Sequence, residues 1–314
     1  MNFEIIRYTP DRKDEWNAFV AGSKNGTFLF NRDYMDYHAD RFIDHSLLVY
    51  RQGRLFALMP GNGQGDVYYS HQGLTYGGLL TDAKATAETV CEVFEALGDY
   101  LRKSGFRRVV YKPVPHIYHR LPAEEDLYAL FLRCHARLIE RDASSAISFS
   151  DLLPFAESRR SGLRKAKNNE LEVCESDDIE TFWEILTDRL SARYNASPVH
   201  TAAEMKLLKS RFPEQIRLMM VYGCASEPLG GTILYLTSQV VHTQYIAATD
   251  KGRSMGALDL LFHHLLTESV LPQRYFDFGT SAIGDSCEVN PALIFQKQGF
   301  GGRTICYDIY EWEL

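Results

Sequence analysis

One succession of strand-like and helix-like segments runs twice through this 314-residue chain, and no other feature limits its folding as much. Each half reads strand, two helices, three strands, helix, strand, helix, strand. Trp16 and Trp183 sit in the first helix of each half, 167 positions apart. Val109 and Phe276 sit in the strand after the long helix of each half, at the same spacing of 167. A shared element order at a constant offset is the mark of a duplicated unit. The fold class expected is α/β, with α+β mixed sheets, in two tandem domains. Their expected bounds are 1–150 and 171–314, joined by a basic connector at 151–170.

Local signals fix the elements. Residues 3–8 alternate as a strand, and Thr9-Pro10-Asp11 opens a helix that carries Trp16, Phe19 and Val20 on one face. The apolar spacing of Val90, Phe94, Leu97 and Leu101 predicts a long helix over 83–104, stopped by Gly105. A short strand is expected at 146–149. In the second half Thr201 and Glu204 form a capping box ahead of a helix. Strands are expected at 217–222, 229–236, 240–247, 275–278 and 304–313, and helices at 179–190, 257–269 and 290–298.

Charge and cysteine usage remove several function classes. The 34 Lys and Arg residues stand against 41 carboxylates, for a net charge of -7. Whole-surface binding to DNA or tRNA rests on phosphate neutralisation, which this balance opposes. The six cysteines, Cys91, Cys134, Cys174, Cys224, Cys287 and Cys306, form no CxxC pair and read as packed thiols of a reducing compartment. With no apolar signal core and no membrane-length apolar run, the expected location is the cytoplasm. The ten histidines form no HExxH, so no metal is expected, and neither a GxSxG elbow nor a phosphate loop of the Walker type is present.

The second half carries the motifs. Gly230-Gly231-Thr232 opens a strand, and Gln244-Tyr245-Ile246-Ala247-Ala248 ends the next. Lys251-Gly252-Arg253-Ser254-Met255-Gly256-Ala257 leads into a helix, Tyr275-Phe276-Asp277-Phe278-Gly279 follows, and Phe295-Gln296-Lys297-Gln298-Gly299-Phe300-Gly301 closes the run. Over residues 159–314 this series resembles the C-terminal acetyltransferase (GNAT) domain of Fem-type, FemAB-like transferases, and residues 160–166 resemble the basic stretch ahead of that domain. The resemblance implies tandem GNAT-like domains, the first on the acceptor side and the second on the acyl-donor side. It implies N-acyl transfer from a CoA thioester, such as acetyl-CoA, to an amine of a sugar, amino acid or cell-envelope precursor. Two alternatives stay open: an aminoacyl-tRNA-dependent aminoacyltransferase, and a ligand-binding module without turnover. The sequence departs from the usual loop pattern (Gln/Arg)-x-x-Gly-x-(Gly/Ala), because Leu258 stands at the last position.

Candidate site residues follow. The turn Thr249, Lys251, Gly252, Arg253, Ser254, Met255, Gly256 and Ala257 combines flexible glycines with a helix start, which suits a diphosphate. Asp277, His242 and Tyr245 are the catalytic candidates, on two strands that the resemblance expects to splay around a thioester. Simple alternation puts Asp277 opposite Phe276 and Phe278, and His242 opposite Tyr245. The basic run offers Arg160, Arg164 and Lys165 to an acceptor, and Lys297 is a further ligand contact or a helix-end cation. In the first half His71, Tyr76, Lys112, His116 and Tyr118 lie in loops rich in Gly, Pro and hydrogen-bonding side chains, and are acceptor-pocket candidates.

Overall fold

The computed structural model describes residues 3–194, 196–283 and 286–314. The chain forms two compact units: Met1–Asp142 with Cys306–Leu314, and Ala143–Ile305. These bounds follow strand pairing rather than sequence order. The last strand completes a sheet in the first unit, because its alternating Tyr310 and Trp312 pair beside Tyr111 and Val109.

In the first unit β1 (Phe3–Arg7), β3 (Leu47–Arg51), β4 (Arg54–Met59) and β7 (Leu80–Thr81) form a four-stranded sheet, preceded by α1 (Lys13–Gly22) and α2 (Arg32–Met35). A second set of strands runs β2 (Ile43–Asp44), β5 (Asn62–Gln64), β6 (Val67–Tyr69), β8 (Arg108–Tyr111), then β17 (Arg303–Glu313). The long helix α3 (Ala87–Lys103) starts at a capping box between Thr86 and Thr89. It buries Val90, Phe94, Leu97 and Leu101 in a core that also holds Val109, Tyr111 and Trp312. The helix α4 (Glu125–Leu132) follows.

The second unit contains strands in the order β10 (Glu172–Ser176), β11 (Ile216–Tyr222), β12 (Pro228–Leu236), β13 (Val240–Ala248), β14 (Tyr275–Thr280), then the part of β9 (Arg137–Ser148) from Ala143 onward. The β9 strand is 12 residues long, against the short strand expected at 146–149. Its first half, Arg137 to Asp142, neither alternates apolar with polar residues nor has a buried position, so hydrophobic patterning does not mark it. One face of this sheet packs α9 (Ala257–His263) through Val241, Phe262, Phe276 and Phe278. A π-helical turn at His264–Glu268 extends α9. The other face carries α6 (Ile179–Tyr194) and α7 (Ala202–Arg211), the latter started by the Thr201–Glu204 capping box. The stretch expected as a connector contains an ordered helix, α5 (Glu157–Asn168), which packs against α9. The remaining elements are α8 (Asp250–Met255), β15 (Ala282–Ile283), β16 (Ser286–Val289) and α10 (Pro291–Gly299).

Candidate functional site

The site starts from a parting of two strands. The parallel pair β13–β14 is in register at Val240↔Tyr275, Val241↔Phe276 and His242↔Asp277, and no further. Both strands bend at that point. In β13 the partners of β12 run Leu234↔Thr243 and then Ile233↔Tyr245, so Gln244 is an extra residue, and such a bulge bends its strand. In β14 Gly279 takes φ +73, a conformation open to glycine, and the register with β9 shifts between Asp277 and Thr280.

The bulge corrects one expectation. His242 pairs with Tyr235 and Tyr245 with Ile233, two positions apart on β12, so His242 and Tyr245 share one face. Plain alternation had set them apart. Asp277 is fully buried and does oppose the side holding Phe276 and Phe278.

Asp277 is saturated with hydrogen bonds. Its Oδ1 accepts from the Ser144 hydroxyl at 2.5 Å and from the Gly279 backbone N–H at 3.0 Å. Its Oδ2 lies 3.0 Å from His242 Nδ1, which carries the proton when the carboxylate is ionised. Further along β13 the Tyr245 hydroxyl sits 2.6 Å from His200 Nδ1 and accepts from the His200 backbone N–H at 3.3 Å, with the Trp183 ring 5.2 Å away edge-on. Burial raises the Tyr245 pKa above the usual phenol value.

Beside the parted strands lies a cavity of about 950 Å³, contained in the second unit. Its walls come from α6, the end of β13, the α8–α9 turn, Phe278 of β14 and the α10 region. Arg159, Arg189, Arg253 and Lys297 supply positive charge, against Asp250 and Asp259. Arg159 pairs with Asp259 at 2.9 Å and stacks over Phe300 at 5.4 Å. Arg253 and Arg189 both reach Asp250, at 3.2 and 3.5 Å. Burial pushes the Asp259 carboxyl up to about 6, with Arg159 pulling the other way. Lys297 is buried and donates to Gly279 O, Thr280 O and Ser281 Oγ at 2.7–2.8 Å, which pins the bend of β14. Burial lowers its pKa to about 8, opposed by the Asp277 charge.

The glycine-bearing turn divides between cavity and scaffold. Arg253, Ser254 and Gly256 line the cavity. Thr249 caps α8 by accepting from the Gly252 N–H at 3.0 Å. A Cβ on Gly252 would lie 2.1 Å from Leu229 O, and one on Gly256 (φ +83) would lie 2.2 Å from Gly162 O. Both glycines let the backbone approach its own chain. Lys251 pairs with Glu227 at 2.5 Å, Ala257 is in the core and Met255 packs against it. None of these three is among the cavity-lining residues.

The other candidates lie elsewhere. Arg160 and Arg164 are exposed on α5, pair with Glu157 at 2.7 and 2.6 Å, and do not line the cavity; Lys165 is also exposed. Their neighbour Arg159 does line it, and sequence reasoning missed it together with Arg189, Asp250 and Asp259. The helical spacing of Leu186, Arg189 and Leu190 was the available signal for the α6 wall. In the first unit Tyr76 and Tyr118 are buried with rings 4.7 Å apart, and Tyr118 shares a hydrogen bond of 2.9 Å with Tyr307. His71 is buried beside His38 and Phe42, and burial lowers its pKa to about 3. Lys112 donates to Leu74 O at 3.2 Å, while His116 is exposed.

Residues 156–286 match the family model described as acetyltransferase (GNAT) domain. The fold is that of tandem GNAT proteins. A crystal structure of FemX superposes with a TM-score of 0.68 at 13% identity, over 99% of this chain and 97% of that one. A tandem GNAT protein from the clavulanic acid biosynthesis pathway gives 0.54 at 10% identity, over 99% and 98%. The L-PGS structure from Bacillus licheniformis gives 0.55 at 8% identity, over 98% and 92%. No curated protein matches this chain in sequence. Among the described residues no helix is long and apolar enough to cross a membrane.

Proposed function

We propose that the chain is an N-acyltransferase whose second unit holds a thioester donor, with its carbonyl entering where β13 and β14 part. The carrying observation is the cavity at that parting, whose wall has four cations to two carboxylates in a protein of net charge -7. A local surplus of cations recruits an anionic ligand, and guanidinium groups match phosphate oxygens. Past His242 the edge of β13 that faced β14 has no register partner there, so its backbone N–H groups can polarise a ligand carbonyl.

In the reaction the acceptor amine attacks the thioester carbonyl carbon; the C–N bond forms, the C–S bond breaks, and one proton leaves the nitrogen while the thiolate gains one. His242 is the proposed base. Asp277 orients it through Nδ1, and its other oxygen is already engaged. Tyr245 is the proposed proton donor. Neither side chain lines the cavity, so proton transfer runs through a water or a tightened donor complex. The acceptor class, an amine of a sugar, amino acid or envelope precursor, rests on the Fem-like fold, and a cytoplasmic location remains part of the same reading.

Aminoacyl-tRNA is the second donor reading. It is favoured by the exposed cations Arg160, Arg164, Lys165 and Lys167 on α5, and by the fold likeness to FemX. Calorimetry with acetyl-CoA and a gel shift with charged tRNA separate the two. Saturable CoA-thioester binding with no salt-sensitive tRNA shift supports the first; the reverse supports the second. Binding without turnover across an amine panel points instead to a module that only holds its ligand.

A further inference from the structure

We infer that the donor's acyl group is a medium-length or long apolar chain rather than acetyl, an inference that rests on the acyltransfer reading above. Two observations carry it. The first is size and lining. The cavity of about 950 Å³ is at the upper end of ligand sites of roughly 300–1,000 Å³. The same volume holds the CoA head, so the lining beyond the head bears on the acyl group more than the total size does. The wall includes Leu190, Ile246, Leu258, Phe262, Phe278 and Phe300, apolar surface against which an acyl chain can pack.

The second observation is exposure. Phe295 of α10 is 66% exposed and Ile283 of β15 is 46% exposed, and both line this cavity. Both put apolar surface on the cavity wall that a bound acyl chain would cover. The cations Arg189 and Arg253 come from α6 and α8, whereas these apolar side chains come from β15 and α10. Cations and exposed apolar side chains thus line one cavity, and the ligand that matches both has an anionic head and an apolar tail. Acyl transfer from it keeps the same balance as before: the chain's carbonyl carbon leaves sulfur for the acceptor nitrogen.

The test is calorimetry on the full chain with CoA, acetyl-CoA, hexanoyl-CoA, decanoyl-CoA and free decanoate. Each methylene sheltered from water is worth up to about fourfold in affinity, so decanoyl-CoA is expected to bind at least about 100-fold more tightly than acetyl-CoA. Equal affinity for the three thioesters overturns the chain inference while leaving the donor reading intact. Failure of CoA and of every thioester to bind overturns the donor reading itself. Decanoate binding as tightly as decanoyl-CoA means the cavity takes a fatty acid and not a donor, and also overturns the inference. Phe295→Ser, at an exposed position that folding does not depend on, is expected to narrow the decanoyl-to-acetyl ratio about tenfold. Leu293→Ser is the second variant; if neither narrows the ratio, the apolar lining does not hold the chain and the inference is overturned.

Discussion

The α-carbon of Gly256 faces the carbonyl oxygen of Gly162 so closely that a Cβ there would lie 2.2 Å from it. The α5 helix thus rests on the α8–α9 turn at backbone contact, and this contact brings Arg159 to the cavity. Gly256→Ala adds left-handed strain at φ +83 to a clash with backbone that cannot step aside. A loss of about 2–5 kcal/mol is expected by urea unfolding. Gly162→Ala meets the Asp259 carboxylate, a side chain able to swing away, so about 1–2 kcal/mol is expected. Loss of ligand binding in Gly256 variants is therefore read only beside their stability.

Asp277→Ala removes an acceptor from Ser144, from the Gly279 N–H and from His242 in a fully buried place. Thermal or urea unfolding should show a loss of about 2–4 kcal/mol. Asp277→Asn keeps the shape and should cost less. If Asp277 acts through His242, the Asn variant lowers kcat and shifts the pH–rate profile while KM for the donor stays near wild type. An unchanged profile assigns Asp277 to the scaffold alone.

Lys297 gives a pH signature of definite sign. Its folded pKa, about 8, is below the ordinary lysine value of 10.5, so between these values the unfolded chain binds a proton that the native chain does not. Native stability therefore carries the full cost of the buried ammonium below about pH 8 and gains as pH rises toward 10.5. The difference in unfolding free energy between wild type and Lys297→Met should rise by up to about 1.4 kcal/mol per pH unit across that window. A flat difference means that the three oxygen acceptors hold the ammonium charged throughout.

Arg159→Met leaves the Asp259 carboxyl buried without its cation. Its pKa, already about 6, should climb further, because the coulombic pull of Arg159 is what lowers it. A carboxyl-specific NMR titration reads this directly. The same variant should weaken donor binding by about tenfold at low salt and by less at high salt, since the lost contact is partly exposed and screened.

The elements were largely legible because their periodicities are strong. The long helix with Val90, Phe94, Leu97 and Leu101, the Thr201–Glu204 cap and the β11–β14 strands appear close to where patterning put them. What patterning could not show were departures from it. The bulge at Gln244 reverses the face of Tyr245 with no residue type to announce it. The β9 strand is long because neighbouring strands pair with it, and its own first half carries no buried face. The glycines of the 249–257 turn read as ligand-facing, yet the bonds and clashes at Gly252 and Gly256 are internal. Arg159 was missed for a related reason. The basic run was read through Arg160, Arg164 and Lys165, whereas the face of α5 that meets α9 is set by where Gly162 permits contact.

The most direct test of the donor site is a crystal structure of the chain with a non-hydrolysable acyl-CoA thioether. The head is expected among Arg159, Arg189 and Arg253, and the acyl carbon beside residues 246–248 where β13 leaves β14. A ligand bound elsewhere on the chain, with this cavity filled only by solvent, would contradict the proposed donor site.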